Sequence, residues 1–292
     1  MPLRTSLALP LLAIVLSFAS GCLHRQPAVV ITGVLHGEVV WEGDVRVGGD
    51  VILSPGARLT ILPGTTVHFL PPGGFSGGLA EHPHFPGSEL VVQGRLVAVG
   101  TPEAPITFRA EDETAPAGSW GALNFEEGGE GTFAFCIFRQ ADSAVHAWSA
   151  TVTIEESLFE ENLVGIRFNA SRMRIEHNLL RNNDAGIRFH FGAPVVSSNR
   201  FEGNRINLFI TSHPSDYLFE NNLFGRPVDY QVVLGEEVPE AVMLGNNAWE
   251  QHPGESVTDR IYDSRRIPYL GHVQVDPMLA SPPAGAGITW TR

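Results

Sequence analysis

The chain has 292 residues, 43% hydrophobic and 17% charged, a composition that excludes a disordered polymer and allows one large domain. Nineteen Lys and Arg against 32 Asp and Glu give a formal charge of −13, spread along the chain, which argues against nucleic acid as a partner. The 31 Gly and 21 Pro, with Val, Ile, Phe and Thr between them, predict many short strands separated by turns, hence an all-β protein.

The N-terminus carries Arg4, an apolar run from Leu7 to Phe18, then Ala19, Ser20, Gly21 and Cys22. This is the layout of a secretory signal, too short and too weakly flanked to be a stable membrane span. The small residues running into Cys22 resemble the lipobox of bacterial lipoproteins. That resemblance implies a signal peptide over 1–21, a lipid on the Cys22 sulfur and membrane lipid as a partner. It also implies a place in the cell envelope, at the outer membrane because Leu23 follows the cysteine where Asp commonly directs retention. Residues 22–35 are then a lipidated linker. Cys136 has no thiol partner left, and its alignment with Ser157 and Asn178 predicts a small inward side chain.

From Asp50 to Phe69 and from Gly94 to Phe108, short apolar alternations are divided by Pro63-Gly64 and Gly100-Thr101, and Trp120, Gly121 and Leu123 continue them. Interruptions fall at Pro71 to Gly87, at Glu111 to Ser119 and at Gly128 to Gly131, which read as loops. His82 and His84 flank Pro83 in the first loop and could face one ion with His68 or Glu81, although the spacing alone assigns no metal site. No cofactor is expected.

Beyond Phe138 the chain repeats at an offset of 21 residues. Ser157, Asn178 and Asn199 share a column; Phe159, Leu180 and Phe201 follow two places later, and Asn162, Asn183 and Asn204 five places later. Small insertions carry the pattern to Asn222 with Phe224 and to Asn247 with Trp249. Within each repeat the apolar columns Val152, Met173, Pro194, Tyr217 and Ile154, Ile175, Val196, Phe219 alternate with polar positions, which is strand periodicity. A unit with several short strands cannot bury its own apolar face, so successive units must stack in register. Parallel crossovers are strongly right-handed.

The columns of Asn, then Phe or Leu, then Asn, followed by Gly-Ile as in Asn178 to Ile187, resemble the right-handed β-helix repeat proteins of the pectate-lyase-like superfamily. The resemblance implies a single-stranded right-handed parallel β-helix over 36–249, with 250–292 as C-terminal cap and tail. A period of about 21 to 24 residues gives roughly nine or ten coils at about 4.8 Å each, a rod of about 45 Å. Stacked asparagines in the turns are expected to be scaffold, satisfying buried backbone groups.

Function must then come from the columns between the asparagines. His146, Arg167, Arg188 and Phe209 form one outward column, and Trp148, Asn169, His190 and Thr211 a second beside it. Guanidinium pairs with carboxylate and aromatic faces cover sugar rings, so this strip suits an acidic polysaccharide. Glu155 and Glu176 are also in register, at roughly the 5 Å separation of a retaining glycosidase pair or a shared Ca²⁺ site. The Asp-Asp, Gly-His-Gly and Arg-x-Lys motifs of polygalacturonase-like enzymes and the Asp-Pro-His-Asp of alginate epimerases are not found. The residues therefore favour a binding module for polysaccharide or another envelope protein. The alternatives are a lyase or hydrolase using Glu155 and Glu176, or a structural component of an envelope complex.

Overall fold

A computed structural model describes residues 29–71 and 85–290. One coil shows how the sequence makes the fold: strands Thr151–Glu155, Leu158–Glu160 and Val164–Asn169 occupy three sides of a flattened turn. The next coil repeats them as Arg172–Glu176, Leu179–Arg181 and Ala185–His190. Every pairing between coils is parallel, and the three strand positions generate three sheets. The first has eight strands, from Glu38–Trp41 to Leu218–Glu220. The second and third share one long strand, Asp44–Leu53, which turns the corner between them and joins them into 18 strands. Ten described strands line the third sheet, from Val30–Leu35 to Ile261–Tyr262, in agreement with the nine or ten coils expected.

Bends at the corners of each coil close this path, and between residues 135 and 246 non-glycine residues make most of the left-handed ones. Phe135, Glu156, His177, Ser198, Asn221 and Asn246 all have φ between 47° and 57°, in the left-handed region. Such a conformation costs about 1 kcal/mol for a residue with a Cβ. The residue that follows each bend supplies the compensation. Cys136, Ser157, Asn178, Asn199, Asn222 and Asn247 point inward, and each backbone N–H from Cys136 to Asn222 donates to the side-chain oxygen one coil on, at 2.9–3.2 Å. A second ladder, Asn162, Asn183 and Asn204, does the same at the next corner. The asparagines are scaffold, and Cys136 is the small buried end of their ladder.

The inward apolar columns fill the space between the ladders. Phe108, Phe138 and Phe159 stack at 5.0 and 4.4 Å, and Phe201, Phe224 and Trp249 at 4.7 and 4.2 Å. At the C-terminal end a 3-10 turn, Val257–Arg260, and the short strands Ile261–Tyr262 and Val273–Gln274 bring Val257, Ile261, Leu270 and Val273 onto the last coil. Covering that end removes an open core and unpaired strand edges from solvent.

After the cap the chain runs back over the body. The Gly287 N–H donates to the Ser198 carbonyl at 2.8 Å, the Thr289 N–H to the Glu156 carboxylate at 2.7 Å, and the Trp290 indole N–H to the Glu156 carbonyl at 2.8 Å. Trp290 is buried against Ile137 and Leu158 on the outer face of the second sheet. Cys22, the signal peptide expected over 1–21, His82, His84 and Glu81 lie outside the described residues.

Candidate functional site

The strip lies on the third sheet. Parallel pairing puts His146 beside Arg167, Arg167 beside Arg188 and Arg188 beside Phe209. Trp148, Asn169 and His190 form the neighbouring column, but its fourth member differs from the expected Thr211. A register shift after Phe189 pairs His190 with Ser212, because the strand Ile206–Ser212 carries one extra residue at this point. Thr211 still borders the groove, its hydroxyl donating to the Phe189 carbonyl at 2.6 Å.

A shallow groove of about 350 Å³ runs over these residues, lined by His146, Arg167, Arg188 and His190 among others. Its electrostatics are unbalanced. Among the described residues no carboxylate comes within 4.0 Å of Arg188, whose guanidinium instead sits 4.8 Å from the centre of the Phe209 ring. Arg167 reaches Asp142 only at 4.0 Å and stacks 5.6 Å from the Phe85 ring. Burial holds the Arg167 guanidinium below its ordinary pKa, and the positive charge of Arg188 one coil away adds to this. Arg167 and Arg188 repel each other, a local excess of positive charge on a chain of charge −13.

The rest of the strip supplies orientation and apolar contact. Ser212 donates its one hydroxyl proton to Glu237 at 2.7 Å, so the His190 Nδ1 at 2.7 Å from the same oxygen must be the donor there. That fixes the imidazole. Trp148, paired with Asn169, and Phe191, whose ring meets that of His190 at 4.3 Å, are 48% and 49% exposed.

One coil before His146, at the end of the strip, is a buried network that sequence reasoning missed. Glu89, 1% exposed, accepts the Phe85 N–H at 3.1 Å and an Asn124 amide N–H at 3.2 Å, while Asn124 Oδ1 lies 2.7 Å from His146 Nδ1. Burial pushes the Glu89 carboxyl up to about 8; the negative charges of Asp50 and Asp142 add to the shift, and the two N–H donors oppose it. A Cβ on Gly121 would lie 2.4 Å from Glu89 Cγ, so glycine is what leaves room for this side chain. The available signal was a lone acid at the head of the apolar run Leu90 to Val92.

Glu155 and Glu176 lie on the first sheet, on a different face from the arginines. They are in register as expected. Arg174 Nε donates to Glu176 at 2.7 Å and sits 4.0 Å from Glu155, and the Ser197 hydroxyl donates to Glu176 at 3.0 Å. The pair is occupied by its own neighbours, and the fold does not bring it together with Arg167 or Arg188.

The three-sheeted parallel coil, its corner ladders and its stacked inward columns are now joined by one comparison: residues 119–224 match the family described as a right-handed β-helix region. The chain is a right-handed parallel β-helix repeat protein. No significant match to the chain was found among curated proteins or solved structures. The matched span of the β-helix contains the whole strip, His146, Trp148, Arg167, Arg188 and His190 among it, together with Glu155 and Glu176.

Proposed function

We propose that this β-helix is a binding module for an acidic polysaccharide, held in a bacterial cell envelope by a lipid on Cys22 and acting without chemistry on its ligand. The observation that carries the reading is Arg188, a guanidinium with no carboxylate partner among the described residues, one coil from the half-paired Arg167. A carboxylate-bearing sugar chain laid over the third sheet would relieve the repulsion between them through charge-assisted hydrogen bonds. Trp148 and Phe191 would cover sugar faces beside it. A binding role also fits the position of three acids: Glu89 is buried, and Glu155 and Glu176 are on another face, so none of these three is placed to act on a ligand lying over Arg167 and Arg188. The lipid anchor rests on the run of small residues into Cys22.

The reading is tested by comparing a polyuronate with the same polymer after reduction of its carboxyl groups, in a pull-down over a series of salt concentrations. Binding of the acidic form alone, weakening with salt, is expected. Equal retention of both polymers would remove the arginines from the account, and steady release of unsaturated products or reducing ends would replace binding with catalysis.

A further inference from the structure

A groove larger than the one over the strip lies elsewhere. It lies over the outer face of the second sheet, about 660 Å³ in volume, with the tail segment Ala286 to Ile288 and Trp290 as one wall. Its floor is one outward column in unbroken register: Thr66, Thr107, Ile137, Leu158, Leu179 and Arg200. Five steps of about 4.8 Å make it about 24 Å long. Its second wall is the adjacent column Arg109, Arg139, Glu160, Arg181 and Glu202.

The charges of that wall are arranged around one buried acid. Glu160, 4% exposed, holds Arg139 through one carboxylate oxygen and takes both Nε and Nη2 of Arg181 on the other, at 2.7 and 2.6 Å. A single negative charge thus fixes two guanidiniums that are themselves 46% and 40% exposed. Each keeps further N–H donors, since a guanidinium has five. Arg109 and Arg200 extend the track, paired among the described residues only with Glu113 and Glu202, which are 76% and 52% exposed. The Arg200–Glu202 pair, exposed on both sides, contributes about 0–1 kcal/mol and yields to a competing anion at little cost, whereas Arg109 is itself only 16% exposed. Four arginines against three glutamates leave the groove positive on a strongly negative chain.

We infer that this groove is a second site for a carboxylate-bearing polysaccharide, independent of the strip on the third sheet, so that one rod holds two chains side by side. The class of ligand rests on the function proposed above; the site itself does not. A sugar chain fits better than an acidic peptide. Extended peptides dock mainly by adding to an open strand edge, whereas the groove offers the face of a sheet whose strands from Thr66–Phe69 to Arg200–Glu202 are paired on both sides. The hydroxyls of Thr66 and Thr107 at one end provide partners for sugar hydroxyls.

Calorimetric titration of the full chain with a uronate oligosaccharide counts the sites, and a factorial set of variants assigns them. Removing Arg139 or Arg181 alone would leave Glu160 buried and unpaired, so the groove variant is Arg139→Gln, Glu160→Gln and Arg181→Gln together, with folding confirmed by thermal melting. The strip variant is Arg167→Ala with Arg188→Ala. The expected stoichiometry is two chains for the wild type, one for each variant and none when they are combined. One chain for the wild type, lost in the strip variant and kept in the groove variant, overturns the second site and leaves the proposed function intact. Binding lost in the groove variant and untouched in the strip variant upholds the groove and overturns the strip. Binding of a polyglutamate peptide in the groove without any uronate binding overturns the ligand assigned to both.

Discussion

Asn199→Ala tests whether the inward ladder, more than the apolar columns beside it, holds successive coils in register. The Asn199 amide oxygen accepts the Asn178 backbone N–H at 2.9 Å and its side-chain N–H at 3.0 Å, while its nitrogen faces the Ile175 carbonyl at 2.7 Å, the Ser197 carbonyl at 3.0 Å and Asn222 Oδ1 at 3.0 Å. Alanine removes all five contacts at a site with no exposure. Asn178 Nδ2 keeps the Ile154 carbonyl and Asn222 Oδ1 keeps the Asn199 N–H, so the groups left worst off are the Asn178 N–H and the Ile175 carbonyl. A buried polar group without a partner costs about 1–3 kcal/mol, which puts the loss at about 3–5 kcal/mol once the small void is included. Urea unfolding followed by circular dichroism reads it directly. Asn182→Gly is the control: Asn182 sits at φ 55° outside the ladder, where glycine is unstrained, and no loss is expected. A loss below about 1 kcal/mol for Asn199→Ala would refute the reasoning, because it would mean that water or backbone adjustment replaces the ladder.

Two further outcomes follow from groups away from the ladder. Glu89 keeps its proton up to about pH 8 in the folded chain and loses it near its ordinary value of 4.5 when unfolded. The folded state therefore holds the extra proton between those limits, and stability falls as pH rises across that window, by up to about 1.4 kcal/mol per unit, before levelling off. Glu89→Gln should flatten this slope in urea midpoints measured from pH 5 to 8, and an unchanged slope would show that Glu89 is not its source. Trp290→Ala strips the buried ring from Ile137 and Leu158 and removes the bond to Glu156, so a loss of about 2–4 kcal/mol is expected, with faster amide exchange around residues 135–158. Unaltered exchange there would show that the tail does not brace those coils.

What was legible in the sequence was whatever recurs at constant spacing. The offset of 21 put Glu155 on Glu176, Arg167 on Arg188 and Asn178 on Asn199, and the structure pairs each of them so. Constant spacing works because a coil of fixed length returns each residue to the same corner, where the ladder selects for asparagine. The reading failed where that constancy breaks. The column from Asp50 through Glu89 and Gly121 toward Asp142 crosses coils of unequal length, so no single offset connects its members. One extra residue in a strand moved His190 from Thr211 to Ser212. The tail contact between Thr289 and Glu156 spans 133 residues and has no periodic signature at all. The tail and the Glu160 pairs together build the second groove, which is why it was not foreseen.

The proposed anion site stands or falls with Arg167 and Arg188. Its most direct test is the affinity of a uronate oligosaccharide for the wild type, Arg188→Ala and Arg167→Ala, measured by calorimetry at two salt concentrations with the second-sheet groove disabled in all three. Each charge-assisted bond is worth about 1.5–3 kcal/mol, so each single variant should bind about ten- to a hundredfold more weakly and with a shallower dependence on salt. An affinity unchanged by either substitution would contradict the account.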